Sequence, residues 1–383
     1  MKDKHLVIVR TGGSVINFES YNCQELGLAK SLSKKGLTVS LILAGNENKI
    51  TEVIYDEYKI IVYQCRYISV TQSLSWFDSI EELLKKINPD IIQIHEFGML
   101  MSWRVVRWAK KYKKPIVLIQ GSYRPTQKKI FKQLELLFNY TFGKYILKNI
   151  TNIGAKTSRA RNYLQEYTSK NIFSTPVGLD ISKFENALNI DWSNRLMLMN
   201  EEKIILYVGT IEPRRNPIFM LDVIDILPDN YILVVVGDGP QRAEFQDIIN
   251  KKSMDHKCKF LGKLSQKELA SLYSLSDIFM LVSDYEIYGM VLLEAMYFGL
   301  PVISTNTAGS ESVIADGKDG IIMFEKSVSD WAERIKMLLE DQCLYCQYSA
   351  AAKNKIQKTL TWDYVSDEYL KLYSSAIRSI KEN

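Results

Sequence analysis

The chain holds 383 residues, of which 46% are hydrophobic and 24% charged, with 19 Gly, 9 Pro and 5 scattered Cys. This is globular composition: it excludes disordered, collagen-like and disulfide-framework proteins, and no stretch reaches the roughly 18 apolar residues of a membrane span. The net charge of +5 hides an asymmetry, because residues 1–180 carry 27 Lys/Arg against 15 Asp/Glu and the remainder 22 against 29.

Met1–His5 lead into Leu6–Val9, an apolar run too short for a signal peptide and expected to be the first strand of a cytoplasmic protein. Short apolar runs follow at Val39–Leu43, Ile91–Ile94, Ile116–Ile119 and, more weakly, Ile150–Ile153. Between them Glu25–Lys35, Ile80–Ile87 and Trp103–Lys113 have the spacing of amphipathic helices. Near-continuous apolar strands separated by helices predict a parallel sheet covered on both faces.

A second series begins at Ile204–Val208 and runs through Ile232–Val236, Lys259–Leu261, Ile278–Val282, Pro301–Ser304 and Ile321–Phe324. The polar, irregular stretch Leu179–Glu202 is expected to connect the two. At about 100–200 residues per domain, the length also predicts two. The expectation is an α/β protein of two Rossmann-like, doubly wound domains, residues 1–180 and 181–361, with a ligand cleft between the carboxyl ends of their sheets.

Trp331–Lys355 reads as helix and carries Cys343 and Cys346. Zinc needs about four ligands and no second Cys or His pair lies near, so these read as two thiols on a helix. His5, His95 and His256 are too dispersed for a metal cluster, and neither metal nor cofactor is expected.

The densest constellation runs from Ser283 to Met296. A strand ends at Val282, a short loop carries Glu286, and a nearly all-apolar helix begins near Gly289 and carries Glu294. A buried carboxylate is costly unless its oxygens are satisfied, and vicinal ribose hydroxyls would satisfy them. The N–H groups of Gly289, Met290 and Val291 are helix-start donors suited to a diphosphate. A Glu paired with a nearby Arg is the structural alternative. After the strand ending at Val208, Arg214 and Arg215 open a helix and can clamp a diphosphate with bidentate contacts. There is no GxGxxG, no P-loop and no DxD, which disfavours a dehydrogenase, a P-loop enzyme and a metal-dependent GT-A transferase.

Glu286 and Glu294, with Tyr288-Gly289 and Val291-Leu292-Leu293 between them, resemble the E-x7-E signature of retaining family 4 glycosyltransferases with the GT-B fold. Further resemblances lie in Gly12-Gly13, Val177–Asp180, Val236–Pro240, Phe260–Gly262, Ala308–Glu311, Asp316–Gly320 and Thr361–Asp363 with Tyr369 and Tyr373. The resemblance spans nearly the whole chain. It implies a helix from about Trp362 that returns to the N-terminal domain, and metal-free, retaining transfer of a sugar from a UDP- or GDP-sugar to a glycan or lipid-linked acceptor. It further implies that Glu294 holds the ribose and Glu286 the donor sugar, that Gly13 approaches the donor, and that Leu261 lies by the base. Arg215 stands where the family has a Lys, Thr210 replaces an Arg, and Arg214 is the candidate second cation. His95 stands where members often bring an imidazole to the donor sugar, and Gln120 replaces a His on the acceptor side. A catalytically silent nucleotide-sugar binder and a GT-B epimerase are the alternatives.

Between Trp103 and Lys148 there are 12 basic residues and one acid, Glu135. On a helical projection Arg104, Arg107, Lys111 and Lys114 share a side, and Lys128, Lys129 and Lys132 share one on the next helix. These are either solvated faces or a dock for an anionic membrane; no nucleic-acid motif accompanies them.

Overall fold

The computed structural model describes residues 1–12, 15, 23–69, 73–125, 129–185 and 187–381, the side chains of 129, 130 and 381 excepted. Two compact units form: one gathers the N-terminal strand, Cys23–Gly178 and the chain from Trp362 onward, the other Leu179–Thr361.

The strands of the first unit are β1 (His5–Val9), β2 (Thr38–Gly45), β3 (Lys49–Tyr55), β4 (Tyr58–Ser69), β5 (Ser75–Phe77), β6 (Ile91–His95), β7 (Ile116–Gln120), β8 (Asn152–Ala155) and β9 (Ile172–Ser174). Their order is β3-β4-β2-β1-β6-β7-β8-β9, parallel apart from β3 and β5, which run antiparallel to β4. The helices are α1 (Gln24–Lys34), α2 (Ile80–Ile87), α3 (Leu100–Lys111), α4 (Lys129–Phe138), α5 (Lys144–Asn149) and α6 (Ser158–Gln165), with a π-helical turn Asn139–Gly143 between α4 and α5. Leu6–Val9, Ile91, Ile92, Ile94 and Val117–Ile119 have no exposed surface, as central parallel strands require.

Four strands, β3, β4, β5 and β9, lie outside the expected set. Along β3 the side chains alternate between exposed and half-buried, so Ile50 and Ile54 face outward on an edge with no continuous apolar run to read. β4 is irregular beyond Val62, where half-buried, buried and exposed positions mix without a fixed period. The strand expected at Ile150–Ile153 starts later, at Asn152, because Ile150 closes α5.

The second unit has β10 (Lys203–Val208), β11 (Tyr231–Val236), β12 (Cys258–Gly262), β13 (Ile278–Leu281), β14 (Val302–Thr305) and β15 (Gly320–Met323), all parallel in the order β12-β11-β10-β13-β14-β15. Its helices are α7 (Trp192–Arg195), α8 (Pro217–Asp225), α9 (Arg242–Lys251), α10 (Gln266–Leu275), α11 (Met290–Tyr297), α12 (Ala308–Val313), α13 (Val328–Glu340) and α14 (Gln342–Thr359). The stretch Leu179–Glu202 is no loose connection. Trp192 is buried and its indole N–H donates to Ser271 over 3.0 Å, while Phe184 packs on Tyr297 and Phe298. The single helix expected over Trp331–Lys355 breaks at Asp341, whose carboxylate caps α14 through the N–H of Leu344. Cys343 and Cys346 are exposed free thiols on α14.

The last helix, α15 (Trp362–Lys381), packs in the first unit against α1. Ser31 Oγ donates to the Trp362 carbonyl and meets Ser366 Oγ at 2.9 Å. The phenol of Tyr369 donates to the Thr175 carbonyl, and that of Tyr373 to Gln93 at the middle of β6.

Candidate active site

In each sheet the chain reverses its winding beside a central strand, and loops at that point converge beyond the carboxyl ends of the strands. In the second unit β10 lies between β11 and β13, so the loops after β10 and β13 are neighbours. That adjacency brings Arg214 and Arg215 to Glu286. Arg215 Nη1 lies 2.8 Å from Glu286 Oε2 and Arg214 Nη1 lies 3.7 Å from it. The Arg215–Glu286 contact is close without hydrogen-bond alignment: Arg215 Nε and Nη1 and Glu286 Oε2 are buried and accept or donate no hydrogen bond among the described residues. Arg214 is more committed. Its guanidinium donates to the Tyr285 carbonyl over 2.6 Å and to Glu212 over 2.7 Å.

Close backbone approaches hold these loops. Gly289 precedes α11 at φ +76°, a left-handed conformation that favours glycine, and no side chain caps the helix. The first-turn N–H groups at Met290 and Val291 therefore lack a side-chain acceptor. Gly309 donates to the Glu286 carbonyl over 3.1 Å, and a Cβ there would stand 2.6 Å from the Tyr288 backbone. Leu261 is half-buried on β12.

Glu294 sits on α11, 2% exposed. The protein itself supplies two donors to it: the Tyr273 phenol reaches Oε2 over 2.9 Å and the Gln266 amide reaches Oε1 over 3.4 Å. Burial pushes the carboxyl up to about 7, and the two hydrogen bonds offset only part of that.

In the first unit β1 lies between β2 and β6, and a second polar cluster gathers at the same kind of point. His95 ends β6 and is buried. Its Nε2 meets Gln93 Nε2 at 2.9 Å and its Nδ1 lies 3.7 Å from Glu25 Oε1, so both ring nitrogens face protein groups. Burial, with Lys156 nearby, lowers the imidazole to about 3, which leaves it neutral at physiological pH. Gln120 is held within the protein: its amide donates to Glu96 and the Ser122 carbonyl and accepts from the N–H of Phe97. Its side chain locks Glu96, which holds a left-handed backbone at φ +61° and also accepts from the N–H groups of Gly121 and Ser122. Gly13 lies outside the described residues.

Three charged groups of this cluster were not anticipated. Glu25, on α1, has a buried carboxyl 3.7 Å from Arg10. Burial works to raise it, but Arg10, His95 and Lys156 outweigh that and hold it at about 2. Lys156 donates to Gln24 over 2.9 Å. Arg10 and Lys156 immediately follow β1 and β8, so their strand-end positions were the available signal.

Of the basic residues expected on one face of α3, Arg104 is withdrawn: Nε and Nη2 both engage Glu81, and Nη1 donates to the Phe77 carbonyl. Arg107, Lys111 and Lys132 are exposed. Lys128 and the side chain of Lys129 lie outside the described residues. Among the described residues no group of three or more His, Cys, Asp or Glu is placed to hold a metal ion, and no helix is long and apolar enough to cross a membrane.

Residues 190–355 match the family described as glycosyl transferases group 1, and residues 15–157 match glycosyl transferase 4-like. An uncharacterized glycosyltransferase of Methanocaldococcus jannaschii is 25% identical, covering 90% of this chain and 93% of its own. The 2-deoxystreptamine N-acetyl-D-glucosaminyltransferase of Niallia circulans is 24% identical over 78% of this chain and 79% of its own. The fold is shared with sucrose-phosphate synthase of Thermosynechococcus elongatus, at a TM-score of 0.78 with 18% identity over 98% of this chain and 100% of that one. It is also shared with Anabaena HepE in complex with UDP and glucose, at 0.72 with 14% identity over 97% and 100%. With both halves matched in order and the two parallel sheets in place, this chain belongs to the group 1, family 4 glycosyltransferases and has their GT-B fold.

Proposed function

We propose that this glycosyltransferase moves a sugar from a nucleotide diphosphate sugar, linked to uridine or guanosine, to a glycan or lipid-linked acceptor, with retention of configuration and without a metal ion. The observation that carries the reading is the Arg215 guanidinium, whose buried Nε has no hydrogen-bond partner and whose Nη1 meets Glu286 only in a misaligned ion pair, beside the uncapped start of α11. A buried donor left unpaired costs about 1–3 kcal/mol, and a diphosphate would relieve that cost. Negative charge grows on the departing diphosphate during transfer, and fixed donors aimed there stabilise the transition state.

In this reading Arg215 and the N–H groups of Gly289, Met290 and Val291 hold the diphosphate. Arg214 steadies the loop and adds charge. Glu286 receives donor sugar hydroxyls, Glu294 the ribose hydroxyls, and Leu261 borders the base. His95 acts as a neutral hydrogen-bonding group, and Gln120 shapes the acceptor side through Glu96. The setting is assembly of surface polysaccharide or glycolipid at the cytoplasmic face of a membrane, which the excess of Lys and Arg between Trp103 and Lys148 supports.

A panel of nucleotide sugars screened by thermal stabilisation identifies the donor, since bound ligand raises stability by mass action. Transfer with the stabilising donor should then survive excess EDTA. Loss of transfer on chelation with rescue by magnesium or manganese would refute the metal-free reading, and stabilisation by no nucleotide sugar would refute the donor site.

A further inference from the structure

The described residues leave α4 without cover. From Phe131 to Phe138 no side chain is buried, and Phe131, Leu134 and Leu137 are 42%, 53% and 63% exposed. The exposed apolar surface continues through the π-helical turn at Tyr140 and Phe142. Large apolar side chains clustered in water mark a surface that meets a partner.

The rim of this surface pairs cations with aromatic rings. The Arg107 guanidinium lies 4.6 Å over Trp103, Lys144 Nζ 5.0 Å over Tyr140 and Lys110 Nζ 5.5 Å over Tyr145. Lys132, Lys144 and Lys148 are exposed. Where α3 meets the π-helical turn, Trp103, Arg107, Thr141, Phe142 and Tyr145 line an open hollow of about 400 Å³.

We propose that α4 and the π-helical turn seat in the interface of an anionic lipid bilayer. Phe131, Leu134 and Leu137 enter the acyl boundary while Arg107, Lys132, Lys144 and Lys148 meet headgroup phosphates. Charge decides the occupant. A second copy would bring a basic rim against a basic rim, whereas anionic phosphate is complementary and each cation adds to the attraction. Rings with one polar edge settle at that depth, as Tyr140, Tyr145 and Trp103 would. The hollow beside Arg107 has room for a headgroup and its first methylenes. This names the surface by which the membrane setting proposed above would be met, and it requires no transfer chemistry.

The test is co-sedimentation of the full chain with vesicles of phosphatidylglycerol and phosphatidylcholine, and with phosphatidylcholine alone, at low and high salt. Wild type should bind the mixed vesicles and not the neutral ones. Leu134→Ser with Leu137→Ser should weaken binding at least tenfold at either salt, and Lys132→Glu with Lys144→Glu at least tenfold at low salt. All four side chains are exposed, so both variants should keep the wild-type circular dichroism. Equal binding to neutral and mixed vesicles, or to neither, overturns the proposal. So does binding untouched by the leucine pair, which would mean adsorption by charge alone. A concentration-dependent dimer abolished by the leucine pair would assign the face to a second copy instead. The vesicles hold neither donor nor acceptor, so failure here leaves the transfer reading standing, and failed transfer leaves this surface standing.

Discussion

The phenol of Tyr273 donates to Glu294 Oε2 over 2.9 Å, tying α10 to α11 inside the second unit. Glu294 is the carboxylate proposed to hold the ribose, so this contact sets both its position and its ionisation. A charged carboxylate accepts hydroxyl donors more strongly than a neutral acid, by about 1.5–3 kcal/mol against about 1.

Donor binding should therefore depend on pH. With the Glu294 carboxyl raised to about 7 by burial, it is mostly neutral at pH 6 and mostly ionised at pH 8. Affinity for the nucleotide sugar, whose bridged diphosphate does not titrate in that range, should rise several-fold between those values and then level off. Glu294→Ala should bind at least tenfold more weakly at pH 8 and show no such dependence. Tyr273→Phe removes one donor to the carboxylate and should move the midpoint upward. Calorimetry across pH reads all three, and a flat profile in wild type would end the ribose assignment.

The same carboxyl has a consequence for stability, of opposite sign. Its folded value lies above its unfolded one, so the folded state binds the extra proton and stability falls as pH rises from 4.5 to about 7. The loss is on the order of 3 kcal/mol, with the Tyr273 hydrogen bond already included in that shift. Glu294→Gln, which stays neutral, should lose that slope and unfold at a higher temperature than wild type at pH 8. Parallel melting curves for the two proteins from pH 5 to 8 would contradict it.

The sequence made the continuous apolar strands legible, because parallel strands covered on both faces have no polar positions to obscure them; β10 and β11 are found to within a residue. It did not reveal the edge strand β3 or its neighbour β4, where Lys, Tyr and Glu or Gln mix with Ile and leave no continuous apolar run. Within the candidate site Glu286, Arg214 and Arg215 were readable from their strand-end and helix-start positions, and Glu294 as a lone carboxylate on an apolar helix, whereas Glu25, Arg10 and Lys156 were missed. The hydrogen-bond partners were not readable. Nothing local to Tyr273 points to Glu294 on the next helix, and nothing local to Gln120 shows that Glu96 consumes its amide. Leu179–Glu202 was hard to read because a few isolated apolar residues, Leu179, Phe184, Trp192 and Leu196, carry its packing without a periodic pattern.

The two adjacent arginines should separate in function. Arg215 has a buried Nε without a partner and only a misaligned ion pair to Glu286, while Arg214 is held by Glu212 and the Tyr285 carbonyl. Arg215→Ala should lower kcat by about 10²–10³, the range seen when one preorganised charge-stabilising donor is removed. Arg215→Lys should recover part of it. Arg214→Ala should act mainly through loop order, with a smaller loss of kcat and a lower Tm. Equal effects of the two alanine variants on kcat, with Tm unchanged in both, would deny the distinction.

The last prediction concerns how α15 is held against α1 in the first unit. Gly27 lies in the middle of α1, where alanine ordinarily stabilises a helix by about 1 kcal/mol. Here the opposite sign is expected. A Cβ at Gly27 would stand 2.2 Å from Trp362 Nε1 and 2.4 Å from its Cδ1, and the buried indole has little room to retreat. Overpacking of this kind costs about 1–3 kcal/mol, enough to outweigh the propensity gain. Gly27→Ala should therefore lower Tm. Trp362→Leu alone should also be destabilising, through lost burial, but its indole N–H has no hydrogen-bond partner among the described residues to lose. In the double variant the new methyl meets a smaller side chain, so the two effects should sum to less than their separate values, as contacting residues do. Thermal unfolding of the four proteins completes the cycle. A Gly27→Ala variant more stable than wild type, or strict additivity in the double, would show that the Gly27–Trp362 contact does not set the seat of the C-terminal helix.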